Sequence, residues 1–191
     1  MDPATLHRRT VESWELRVEA VPTDRWESPT PCSGWDVRTL VNHVTGEELW
    51  TVPLVQGSTM EEVGDRFEGD LLGDDPVVAS RRAAAAATQV VDRAAPEGSV
   101  HLSYGDERLG EYLQQLAADH LVHGWDLAVA TGGDTRLDPE LVAEVAAWFA
   151  DKEELYRSAG AIGPHAEASG DPQTDLLAAF GRDARWAAVP G

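Results

Sequence analysis

The sequence predicts an all-α fold, a four-helix bundle with an additional C-terminal helix and room for one small β-hairpin. Three observations carry this. Apolar residues recur at helical spacing through four long segments. Most of those segments are bounded by a capping acid, a proline or a glycine. Strand-like alternation is confined to one short stretch, residues 99–109. With 191 residues and 42% hydrophobic content, the chain has the size and composition of one domain, residues 1–191, around its own core.

The elements follow in order. Helix one is expected over residues 4–21, where Leu6, Val11, Trp14, Val18 and Val21 recur and Pro22 ends the pattern. Residues 22–35 hold Pro22, Pro29, Pro31 and Gly34 and read as an ordered loop, since Trp26 and Trp35 need burial partners. Asp36 is a good N-cap for helix two, which runs through Val37, Leu40, Val41 and Val44 to Val52, before Pro53. Residues 56–76 mix Gly, Asp and Glu and form a connector with one helical turn around residues 60–67. Asp75-Pro76 is a cap followed by a proline at the first helical position; it opens helix three over residues 77–95, which Pro96 and Gly98 end. SVHLSYGDERL carries a Gly-Asp turn and allows a hairpin. Helix four covers residues 110–130 and stops at Gly132-Gly133. Asp138-Pro139 starts a fifth helix to residue 158, and the tail holds a short helical piece at residues 174–181.

Composition excludes several function classes. Thirty-four acids against 15 bases give a formal charge of −19, which repels phosphate backbones and anionic lipid, so neither nucleic acid nor a membrane is an expected partner. The N-terminal stretch alternates charge with apolar residues and has no h-region of a signal peptide, and no apolar run approaches the ~20 residues that span a bilayer. The single cysteine, Cys32, rules out a disulfide within the chain and suits a reducing cytoplasm.

Helix four carries the chemistry. In EYLQQLAADHLVHGWDLAVATG, Leu113, Leu116, His120 and Leu127 share the core stripe, while Tyr112, Asp119, His123 and Asp126 run along one edge of it. Asp119 and His123 are four residues apart and project side by side, so a carboxylate oxygen and an imidazole nitrogen can reach one divalent ion. Asp126 is placed to accept the other ring N–H of His123 and hold its tautomer. The spacing leaves a second assignment open, in which His120 and His123 are the ligands; a hydrogen-bonded core histidine is the other reading of His120. On helix two, His43 lies at the edge of the apolar stripe with Glu47 one turn on, either a second donor or an orienting group for bound water. Cys32, just before helix two, is either a thiolate nucleophile or ligand favoured by the helix N-terminus or a buried cysteine in apolar surroundings between Trp26 and Trp35. There is no phosphate loop and no Gly-x-Ser-x-Gly elbow.

Taken together, SPTPCSGWDVRTLVNHV, DHLVHGWDLAVATG and GDPQTDLLAAFGRDARW resemble, in order and spacing, the signatures of the DinB-like, mycothiol-dependent maleylpyruvate isomerase N-terminal family and its actinobacterial metal-binding branch. The resemblance implies a DinB-like four-helix bundle with one divalent metal held by His43, Asp119 and His123. Asp119 departs from the pattern, since the isomerase looks to have a glutamate there. Two imidazoles and a carboxylate suit zinc first, and also nickel, iron or manganese. An open position at such a site implies catalysis more than stapling, with mycothiol as the thiol that the metal ionises. The resulting expectation is a thiol-dependent transferase or isomerase acting on a small electrophile, with Glu47 and Tyr112 handling protons. A metal-containing module that binds or senses a small ligand without turnover, and a homodimer in which the metal only locks two helices, are the competing readings. A fourth protein ligand, Glu47 or His120, would favour the last.

Overall fold

A computed structural model of the chain describes residues 1–187. It has the all-α architecture that the sequence predicts. Four long helices, α1 (Pro3–Glu19), α2 (Val37–Val55), α4 (Pro76–Arg93) and α5 (Leu109–Thr131), form the bundle, and α3 (Met60–Val63), α6 (Pro139–Phe149), α7 (Glu153–Ser158) and α8 (Pro172–Ala179) are shorter. Strands β1 (Ser99–Leu102) and β2 (Gly105–Arg108) pair antiparallel, with Ser99 opposite Arg108 and Leu102 opposite Gly105. α1 packs along α5 and α2 along α4, while contacts of α1 with α4 and of α2 with α5 close the bundle.

Helix starts are set by one recurrent device. Asp2, Asp36, Asp75, Asp138 and Asp171 each accept a hydrogen bond from a first-turn backbone N–H, and in α1, α4, α6 and α8 a proline follows the cap. The side-chain oxygen satisfies an otherwise orphaned donor, worth about 1 kcal/mol, and the proline loses no N–H that the helix would have used. α5 is buried around most of its circumference, as befits the helix on which the others are laid, and Gly132 ends it at a positive φ of 75°. The apolar core lies on both sides of it: Trp14, Val18, Leu40, Val41 and Leu127 on one, and Leu121, Leu141, Val145, Phe149 and Leu177 on the other.

Three boundaries differ from the sequence expectation. α2 does not stop before Pro53 but runs through it to Val55. The proline forfeits one helical hydrogen bond, and the burial of Pro53 and of Leu54 against Val91, Leu113 and Leu116 offsets the loss. The connector's helical turn covers only Met60–Val63, closed by a Thr59–Glu62 capping box and ended by Gly64 at φ 61°. The fifth helix expected over residues 139–158 is broken after Phe149, where the Lys152 N–H donates to the Phe149 carbonyl at 2.8 Å. That turn lets Phe149 stack on Phe180, with ring centroids 4.0 Å apart, while Tyr156 meets Phe149 edge-on at 5.5 Å. No helix of the described residues is long and apolar enough to cross a membrane.

Candidate metal centre and its cavity

α5 presents Asp119, His123 and Asp126 along one edge, and the packing of α2 against α5 turns His43 and Glu47 toward that edge. One donor atom each from His43, Asp119 and His123 fall within 4.8 Å of one another. His43 Nε2 lies 3.4 Å from Asp119 Oδ2, and His123 Nε2 lies 3.3 Å from Asp119 Oδ1. These are long for hydrogen bonds between an imidazole and a carboxylate. The two contacts use different oxygens of the one carboxylate, and the three residues still turn donor atoms toward a common region that ligand bonds of about 2.1 Å could span. Asp119 Oδ2 is moreover buried and accepts no hydrogen bond of normal geometry. The donor set therefore fits a divalent metal. Among the described residues, neither Glu47 nor His120 joins it.

Around this set the protein builds a charged frame. His123 Nδ1 lies 2.9 Å from Asp126 Oδ2, and Asp126 is fully buried. Arg182, in the segment after α8, donates from Nη2 at 2.9 Å and from Nε at 3.2 Å to the same carboxylate. Burial alone would raise the pKa of Asp119, but His123 and His43 outweigh it and hold that carboxyl well below its ordinary range. Burial would lower His123, but Asp119 and Asp126 lift it well above the ordinary imidazole value. Burial likewise opposes the charge of Asp126, and His123 and Arg182 win, so its pKa is lowered. Trp35 covers the imidazoles, with ring centroids 4.9 Å from His43 and 6.1 Å from His123.

Both proton-handling residues expected from the sequence line one cavity with the histidines. It measures about 270 Å³. Burial, then the neighbouring Asp119 charge, push the Glu47 carboxyl above its usual range. The Tyr112 hydroxyl lies 3.1 Å from Thr51 Oγ1, and burial raises its pKa, so it stays protonated. Apart from Gln115 and Arg182, the rest of the wall is mainly apolar: Val122 from α5, Trp148 from α6, Tyr156 from α7, and Ile162 and Phe180 from the C-terminal part.

His120 sits elsewhere, in the core. Its Nδ1 donates to the Leu116 carbonyl at 2.6 Å and its Nε2 lies 3.2 Å from Glu48 Oε1, both groups being sealed from solvent. Of the two residues weighed beside His123, the structure brings Asp119 and not His120 to His43. Cys32 departs from the apolar burial read in the sequence. Its Sγ is 3.3 Å from Asp126 Oδ2, 3.3 Å from Arg182 Nη2 and 3.7 Å from His123 Nδ1. The loop doubles back through a bridge between Pro29 and Asp36, which lays the thiol over α5 beside the buried ions. Arg182 was not singled out in the sequence at all. Its one signal is being a basic residue in a C-terminal motif of a strongly acidic chain.

Comparisons with known proteins now bear on this geometry. Residues 7–128 match the model of the mycothiol maleylpyruvate isomerase N-terminal domain. Two uncharacterized proteins of Mycobacterium tuberculosis, from different strains, are each 31% identical over 182 residues, covering 92% of this chain and 87% of their own length. Among solved structures, the mycothiol-dependent maleylpyruvate isomerase matches with a TM-score of 0.61 at 18% identity, and a histidine-to-alanine mutant of it with 0.63 at 17%. Each match covers 99% of this chain and 80% of the other, and shows a shared fold.

Proposed function

The chain belongs to the mycothiol maleylpyruvate isomerase N-terminal domain family, and from that premise we propose that it is a metal- and thiol-dependent transferase or isomerase acting on a small electrophile. The observation that carries this is the convergence of His43, Asp119 and His123 on one point at the wall of a cavity that also holds Glu47 and Tyr112. His43, Asp119 and His123 would hold the ion, zinc before nickel, iron or manganese for this donor set. When bound, a divalent cation stabilises the thiolate of a low-molecular-weight thiol, here mycothiol, at neutral pH.

The chain's own residues do the rest. Asp126 holds the His123 ring in one tautomer, with Nε2 free to face the ion. Glu47, whose pKa burial and Asp119 raise, is a stronger base than an ordinary carboxylate; in its ionised form it would accept the proton that the thiol gives up and return it to the product. Tyr112 stays protonated and donates to Thr51 Oγ1, which itself donates to the Glu47 carbonyl, so Tyr112 would meet an oxygen of the electrophile by turning its O–H from Thr51 into the cavity. Trp35 and the aromatic wall narrow the access of water to the imidazoles and the reacting sulfur, with His43 still 31% exposed.

Metal analysis followed by calorimetric titration with zinc and mycothiol tests this reading. The expected result is one metal per chain, thiol binding that requires the metal, and turnover of a model electrophile that requires both. Metal and ligand binding without turnover would instead make the chain a binding module, and absence of metal would end the proposal.

A further inference from the structure

We infer that the cavity beside the metal centre takes an uncharged electrophile with a flat, apolar body, and not one bearing a carboxylate. The inference rests on the function proposed above and specifies its substrate class. It follows from what the walls offer and from where every nearby cation is already engaged.

Size comes first. A cavity of about 150 Å³ lined by apolar side chains accepts a benzene ring; this one measures about 270 Å³. Trp148, Tyr156, Ile162, Phe180 and Val122 face it. Aromatic walls of this kind bind a planar group by burial and by edge or offset stacking.

Charge decides the class. The His123 imidazole, itself lifted toward its charged form, is held between Asp119 and Asp126, and the one Lys or Arg side chain among the residues that line the cavity is Arg182. Its Nε and Nη2 are held by the fully buried Asp126, and its Nη1 donates to the Phe180 carbonyl at 3.0 Å. Lys152 lies over the Trp148 ring at 5.5 Å and pairs with Glu111 at 3.5 Å. Arg157 pairs with Glu153 and donates to the Ala179 carbonyl. The carboxyl groups that line the cavity are Glu47 and Asp119, the latter already paired with His43 and His123. A divalent ion would be offset by Asp119 and by the incoming thiolate, which leaves no cation for a substrate carboxylate. Such a group would lose its hydration against apolar walls with nothing in return. The chain's formal charge of −19 adds long-range repulsion. The separation also runs along the sequence. His43, Asp119 and His123 fall inside the family-matched residues 7–128, whereas Trp148, Tyr156, Ile162, Phe180 and Arg182 lie beyond them.

The test is equilibrium binding of a matched pair of probes, 4-nitrobenzyl alcohol and 4-nitrobenzoate, followed by saturation-transfer NMR. It is run on the chelator-treated protein and on protein saturated with zinc and mycothiol. The alcohol is expected to bind at least about tenfold more tightly than the benzoate in both states. Phe180→Ala should weaken the alcohol at least about fivefold. Ile162→Arg, at a partly exposed position, should instead raise benzoate affinity, and circular dichroism checks that both variants fold. Equal or tighter binding of the benzoate in either state, or no binding of either probe, overturns the inference. Failure of the proposed function would read differently, as loss of zinc or mycothiol binding while the metal-free protein keeps its preference.

Discussion

Two histidine–carboxylate clusters sit one turn apart on the same helix, and they do opposite things. His120 meets Glu48 inside the bundle, 3.2 Å apart, and its other ring nitrogen is spent on a backbone carbonyl. His123 meets Asp119 at a similar 3.3 Å but shares it with His43 on the wall of a cavity. Each cluster pairs an imidazole of α5 with a carboxylate, and the two imidazoles are three residues apart. What differs is the face. At 100° per residue, three positions rotate a side chain from the centre of the buried stripe to its edge. At the centre, His120 spends both ring nitrogens inside the protein, on the Leu116 carbonyl and on Glu48, although Glu48 Oε2 has no partner. At the edge, Asp126, held by Arg182, meets one nitrogen of the imidazole, and the other faces Asp119 at the cavity wall. A histidine's role is therefore set by whether its second nitrogen has a committed partner, and not by its burial alone.

The largest expected effects exchange stability against metal binding. His123→Ala should lower metal affinity well beyond 100-fold and abolish metal-dependent thiol binding, since two ligands of the centre remain, with the bundle still folded. His120→Ala should keep the metal content and destabilise the protein by about 3–5 kcal/mol, because it leaves Glu48 buried and unpaired. Metal analysis and thermal unfolding on both variants check this crossing. Equal metal loss in the two would erase the distinction.

Next in size is the frame. Asp126→Asn should weaken metal binding by about 10–100-fold, because the imidazole loses the carboxylate that fixes its tautomer. Glu48→Gln, its counterpart in the closed cluster, should leave metal affinity within about twofold of the parent by competition with a chelator.

The closed cluster should also show itself in the pH dependence of stability. Burial pushes the Glu15 carboxyl up to about 7, with the Glu48 charge adding to the rise, while the hydrogen bond from Ser80, His120 and Arg81 pull it down. The folded state then holds a proton that the unfolded chain has released, so the stabilisation is full below the ordinary glutamate value and is lost as pH rises through about 7. His7, lowered to about 3 by burial and by His120, works in the opposite sense and only below its ordinary value of 6.5. Between pH 6.5 and 8, the thermal midpoint of the parent should fall more steeply than that of Glu15→Gln. Parallel curves would remove Glu15 from the account.

The smallest effect is expected at Cys32. Serine there keeps a polar group near Asp126 and Arg182, so metal content and thiol affinity should stay close to those of the parent, with a dip in thermal stability of no more than a few degrees. Loss of turnover in that variant, with metal retained, would move the nucleophile from an added thiol to the protein.

Much of this was legible in the sequence because it is local. Asp-Pro pairs name the starts of α4 and α6, Gly132 names the end of α5, and the four-residue step from Asp119 to His123 puts two donors side by side, all within single turns of helix. Those features depend on backbone geometry that any helix supplies. The tertiary structure alone decided the rest. It chose Asp119 over His120 as the group facing His43. It carried α2 through Pro53, because packing of Leu54 outweighed one lost hydrogen bond. It brought Arg182 to Asp126 across 56 residues of sequence and Cys32 to Arg182 across 150. It also broke the fifth helix after Phe149 and set Tyr156 and Phe180 against that ring, which gave the cavity its aromatic wall. No periodicity encodes such contacts. They are fixed by which faces of separate helices bury each other, and that choice is made by the packing of the whole core at once.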